Sequence, residues 1–109
     1  MTQTDYQILE RLEAQIKARK QAQAGSSYTA QLLNAPVKKV AQKVAEEGAE
    51  VAMAAVSEGD EVLASEMADL LYHMLVLCEH RGVSFAQALA ELARREGVSG
   101  LTEKAARED

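Results

Sequence analysis

Glu46, Glu47 and Glu50 stand close together, with Lys43 one turn ahead of them; after a 15-residue gap come Glu66, Asp69 and His73. On a helix, Glu46 and Glu47 lie about 100° apart, and both Glu50 and Lys43 fall inside that arc. Three carboxylates then project from one sector, beside an apolar stripe that includes Val44 and Val51. A second helix places Glu66 and Asp69 within about 60° of each other, with His73 between them. Packed antiparallel, the two acidic sectors face each other across a groove. Carboxylates at such spacing repel by about 0.2–0.5 kcal/mol per pair, so the arrangement works against stability. A hard divalent cation removes that penalty, because oxygens from several turns can share Mg2+ at ~2.1 Å while the ion keeps waters for phosphate oxygens to displace. Such a groove suits a substrate that carries a di- or triphosphate.

The ordinary meaning of acidic residues on a helix is a solvated face. Here the carboxylates adjoin the apolar stripe instead of lying opposite it, and two separate helices each supply a set. A di-iron carboxylate bundle requires Glu-x-x-His on two helices. The residues three before His73 and His80 are Leu70 and Leu77, so that signature is missing. His73 reads either as a ligand or general base, or as a hydrogen-bonded structural residue, the commoner role for a lone histidine in an apolar run. Tyr72 reads as packing, Cys78 as a buried inert thiol, and the methionines as core filler.

Helices must position these groups. Thr4 and Gln7 have capping-box spacing, and Ile8, Leu9, Leu12 and Ile16 share a face, which predicts a helix from about Asp5 to Gln23. Ser26 to Thr29 reads as a turn, followed by a short apolar piece at Leu32 and Leu33. Pro36 suits the first turn of the next helix, whose inward stripe is Val37, Val40, Val44, Val51 and Ala55, with Gly48 on the same side. A break at Ser57 to Asp60 precedes a helix from about Glu61 to Arg81, stopped by Gly82, with Leu63, Met67, Leu70, Met74 and Leu77 as its apolar face. Ser84 and Gln87 form another capping box, opening a helix with Phe85, Leu89 and Leu92 inward and ending at Gly97. The expected architecture is all-α, a bundle of four to five helices completed by dimerisation. Residues 1–97 would be the catalytic domain, and 98–109 a tail ordered by ligand or partner.

Composition narrows the function further. A chain of 109 residues supports one domain with a modest core, which favours helix pairing between subunits. The 20 alanines favour helix, and 4% aromatic content with no Trp disfavours base-stacking platforms for nucleic acid. A net charge of −5 means that any phosphorylated ligand needs a local cation or a metal. The most apolar run, Leu70 to Cys78, is far short of the ~20 residues a membrane span needs. One cysteine and no signal-like N-terminus point to the cytoplasm.

Glu46-Glu47-x-x-Glu50 followed by Glu66-x-x-Asp69 resembles the signature of the all-α nucleoside-triphosphate pyrophosphohydrolases. With Ser27-Tyr28-Thr29, Lys43-Val44-Ala45-Glu46-Glu47, Ala68-Asp69-Leu70-Leu71-Tyr72-His73 and Gly97-Val98-Ser99-Gly100-Leu101, it is similar to the phosphoribosyl-ATP pyrophosphohydrolase family of histidine biosynthesis, over about residues 5–107. Two positions depart from that pattern: Ala45, where Gly is common, and Gly48, where Ala or Thr is. The resemblance implies cleavage of 1-(5-phosphoribosyl)-ATP at the α–β anhydride, giving 1-(5-phosphoribosyl)-AMP and pyrophosphate. It also implies a stand-alone enzyme, a homodimer, and Mg2+ (Mn2+ as an alternative) on Glu46, Glu47, Glu50, Glu66 and Asp69. Glu47 or Glu50 would serve catalysis, Lys43, Lys104 and Arg107 would contact phosphate, and His73, Ser27, Tyr28 and Thr29 would support the site. The competing expectations are a house-cleaning nucleotide pyrophosphohydrolase with the same metal motif, and a non-catalytic helical interaction module.

Overall fold

The computed structural model describes residues 4–22, 25, 27–98 and 100–108, of which 102, 103 and 108 by backbone alone; Gln23, Ser26 and Ser99, invoked above, lie outside the described residues. The described residues form helices and no strand: α1 (Ile8–Arg19), α2 (Tyr28–Asn34), α3 (Val37–Ser57), α4 (Asp60–Arg81), α5 (Phe85–Arg95) and α6 (Gly100–Glu108). The all-α expectation therefore holds, with six helices rather than four to five.

The two longest helices, α3 and α4, are joined only by Glu58 and Gly59, which forces them into an antiparallel hairpin. Pro36 stands at the α3 N-cap in extended conformation, where its missing N–H costs nothing. Gly82 ends α4 at φ 71°, the left-handed conformation that glycine adopts without a Cβ penalty, and its N–H bonds back to the carbonyls of Cys78 and Glu79. Ser84 and Gln87 close the anticipated capping box on α5, and Glu13 of α1 adds a carboxylate that accepts from Phe85 N at 3.0 Å.

Several local expectations give way. Thr4 does not cap α1; Gln7 occupies the N-cap without a side-chain bond. The Ser27–Thr29 stretch is no turn: Ser27 caps a short helix, its hydroxyl accepting from Ala30 N at 3.0 Å. Leu89 and Leu92, expected inward on α5, are exposed, and so are Met53 and Met67, expected in the core. The reason is tertiary. The buried cluster of Ile16, Leu32, Val40, Leu75, Val76 and Phe85 gathers α1, α2 and the start of α5 around one end of the hairpin. Nothing among the described residues covers the other end, where Met53, Val56, Val62 and Met67 are exposed. No helix among the described residues is long and apolar enough to cross a membrane.

Candidate active site

Where α3 and α4 run side by side, Glu47, Glu66 and Asp69 each bring a carboxylate oxygen within 4.8 Å of the others. Glu47 and Glu66 each bury one oxygen, Oε2, that finds no hydrogen-bond partner. Removal from water raises the proton affinity of Glu47, and the adjacent Glu50 carboxylate adds to the effect by hydrogen bonding and repulsion, opposed by His73. For Glu66 the order is reversed: the bond to Glu50 raises its pKa most, followed by burial. Glu50 thus acts on both Glu47 and Glu66, raising the proton affinity of each.

Orphaned, buried carboxylate oxygens are costly unless something pairs with them. Hard divalent cations take several oxygen ligands, carboxylates above all. The donor set therefore fits such an ion. Glu46 is turned aside: its Oε1 accepts from Gln42 at 3.0 Å and its Oε2 faces Lys43 at 3.6 Å. Lys43 so offsets the Glu46 charge. Lys104 and Arg107 are exposed on α6, which packs extensively against neither α3 nor α4.

A hydrogen-bonded wall flanks the acids. His73 is 6% exposed; its Nδ1 lies 2.7 Å from the Asp69 carbonyl oxygen and its Nε2 2.9 Å from the Tyr28 hydroxyl. Thr29 and Tyr72 join α2 to α4 by a short bond between hydroxyls. The Tyr28 and Tyr72 rings stack at 6.3 Å, and both meet the imidazole edge-on. The resemblance implies supporting roles for His73, Tyr28 and Thr29, but not their meeting with Tyr72, because α2 is only seven residues long and shows no full helical period. Tyr72 is thus more than packing. A separate cavity of about 550 Å³, lined by Glu10, Glu13, Lys17, Lys20 and Glu79 among others, lies about 15 Å further along α4 and shares no residue with the acids.

Residues 9–96 match the family model described as phosphoribosyl-ATP pyrophosphohydrolase. The chain belongs to the phosphoribosyl-ATP pyrophosphohydrolase family. Relatives within it include a phosphoribosyl-ATP pyrophosphatase of Erythrobacter litoralis, 54% identical over 93% of this chain and 97% of its own length. Another, from Parvibaculum lavamentivorans, is 55% identical over 94% of both chains. A third, from Caulobacter vibrioides, is 48% identical over 98% of this chain and 99% of its own. Phosphoribosyl-ATP pyrophosphohydrolase membership accounts for an acidic cluster spread over two helices, since phosphoanhydride hydrolysis requires charge to be offset around the reacting phosphates. Membership also makes the chain an enzyme, and the non-catalytic interaction module falls away.

Proposed function

We propose that this protein hydrolyses 1-(5-phosphoribosyl)-ATP to 1-(5-phosphoribosyl)-AMP and pyrophosphate, the second step of histidine biosynthesis, in the cytoplasm. The observation that carries the reading is the meeting of Glu47, Glu66 and Asp69, with two orphaned oxygens, in a chain of this family. Glu47, Glu66 and Asp69, with Glu50 and Glu46 alongside, would hold Mg2+ or Mn2+, which supplies positive charge against the phosphates.

The remaining chemistry belongs to the side chains. Water attacks phosphorus at the α–β anhydride: its oxygen forms the new P–O bond, the bridging P–O bond breaks, and pyrophosphate departs. The proton released by water goes to a carboxylate. Glu47 suits that role, because its Oε2 is unpartnered and its proton affinity is raised. Glu50, beside Glu47, is the other carboxylate assigned to catalysis. Lys43 contacts phosphate, and Lys104 and Arg107 bring further cations from α6. Ser27 and Thr29 hold α2 against the site. A homodimer covers the open end of the hairpin.

Pyrophosphate release from phosphoribosyl-ATP, ATP and dUTP, each with Mg2+ and with EDTA, tests this. Metal-dependent release from phosphoribosyl-ATP alone is expected. Preference for ATP or dUTP would move the protein to nucleotide house-cleaning, and no release from any of the three would overturn the reading.

A further inference from the structure

Two of the chain's three tyrosines meet one helical turn beyond Asp69. The link to the acids is explicit. Asp69 belongs to the carboxylate set, its carbonyl oxygen lies 2.7 Å from His73 Nδ1, and His73 Nε2 lies 2.9 Å from the Tyr28 hydroxyl. A carbonyl only accepts, so Nδ1 carries the imidazole proton, and the Tyr28 hydroxyl donates to Nε2 of the neutral ring. The Tyr28 ring is also fixed by Tyr72, stacked at 6.3 Å and 23°, and it meets the imidazole at 5.8 Å and 74°. Tyr72 packs against the core and His73 is buried, whereas Tyr28 is 46% exposed. A ring held in one orientation and left half open costs little to order around a ligand.

An aromatic face is electron-rich, and a cation laid over it is attracted by the ring quadrupole. The substrate of the pyrophosphohydrolase reading carries a flat one. Its second ribose is bonded to N1 of adenine, which leaves the exocyclic nitrogen as the imine of an amidine. Such a base takes up a proton at neutral pH, whereas the adenine of ATP stays neutral. Donation of the phenolic proton to His73 leaves more electron density on the Tyr28 oxygen and ring, which favours a cation further. We propose that Tyr28 is a specificity-determining residue: its ring receives the cationic, N1-substituted adenine of the substrate beside the acidic set, and so separates phosphoribosyl-ATP from ATP. His73 is the residue that positions it. The proposal rests on the pyrophosphohydrolase reading and names the feature by which that site tells its substrate from an ordinary nucleotide.

Calorimetry with nucleoside monophosphates in the presence of Mg2+ tests the arrangement without turnover. 1-methyl-AMP carries the same cationic base; AMP lacks the charge, and 1-methyl-IMP keeps the methyl group but is neutral. The wild type should bind 1-methyl-AMP roughly tenfold more tightly than either. In Tyr28→Leu that preference should shrink to less than about twofold, and in Tyr28→Phe, which keeps the ring but loses the bond to His73, to about threefold. Equal affinity for the three nucleotides, no binding of 1-methyl-AMP, or a preference that survives Tyr28→Leu overturns the proposal. Should Tyr28→Leu fail to fold by circular dichroism, NMR of the wild type decides: a nuclear Overhauser effect from the N1 methyl group to the Tyr28 ring protons is expected, and its absence overturns the assignment. Steady-state pyrophosphate release keeps the two readings apart. Tyr28→Leu should raise KM for phosphoribosyl-ATP roughly tenfold, with kcat within about threefold, because ground-state binding is removed. Unchanged KM in an active enzyme sinks only the role of Tyr28, whereas a wild type inactive on phosphoribosyl-ATP sinks the substrate assignment.

Discussion

Glu50 shows how much a single carboxylate does here, since it raises the proton affinity of both Glu47 and Glu66. Replacing it by Gln removes a charge from a crowded set. Without metal, the melting temperature of Glu50→Gln should be unchanged or about one to three degrees higher, while turnover falls at least a hundredfold. A large loss of stability would instead assign Glu50 to the fold. The raised pKa values of Glu47 and Glu66 also set a pH dependence. Acids whose folded pKa lies above the unfolded value of 4.5 contribute stability that is full below 4.5 and lost as pH rises through the folded pKa. Metal-free protein should therefore melt higher at pH 5 than at pH 7, as far as these groups decide. Added Mg2+ should reverse the order, stabilising most at pH 7, where no proton competes for the oxygens. Glu91 acts in the opposite sense: Arg94 and Arg95 lower its pKa to about 2, so its contribution disappears only in stronger acid. That ion pair is solvent-exposed and contributes little.

The helices carry these residues with different margins. Gly48 sits inside α3 between Glu47 and Glu50, and a Cβ built there meets no atom within 4 Å. Glycine in a helix interior costs about 0.5–1 kcal/mol relative to alanine. Gly48→Ala should raise the melting temperature by roughly 3–6 °C in a domain of this size, read by calorimetry. The departure at Gly48 thus lowers helix stability while leaving every carboxylate in place. Gly82 is the contrary case. Its positive φ strains any side chain, so Gly82→Ala should destabilise by about 1 kcal/mol although space is open. Helix α2 is held mostly from outside itself, by the Ser27 cap, the Thr29–Tyr72 and Tyr28–His73 bonds, and a 2.6 Å bond from His80 Nε2 to the Ala35 carbonyl at its end.

At the scale of the molecule the chain is too extended for its length. Its radius of gyration is 16.1 Å, against about 13 Å for a compact domain of this size. Its accessible surface is 8090 Å², about 2,000 Å² more than a compact monomer of this mass exposes. That excess matches what an obligate subunit buries on assembly. The open end of the hairpin, with Met53 67% and Val56 89% exposed, is where a second copy would fit. Light scattering should give about twice 11.8 kDa for the wild type, and Val56→Glu should shift it toward a single chain. A wild-type mass of one chain would remove the dimer from the account.

The long helices, their caps at Ser84 and Gly82, and the acidic sectors of α3 and α4 were legible in the sequence, because helical period and capping chemistry are local. The Glu47, Glu66 and Asp69 set could be named in advance because a two-residue link leaves two long helices little choice but to lie antiparallel. Other features depended on which surfaces meet. The apolar positions of α5 promised burial for Leu89 and Leu92, but burial goes only to the face that finds a neighbour. Glu46 is turned toward Gln42 and Lys43 by contacts within its own helix, whereas the tertiary choice brought α2 onto α4 so that Tyr28 reaches across 45 residues to His73. No local pattern encodes that bond, because its partners become neighbours only when the core closes between them.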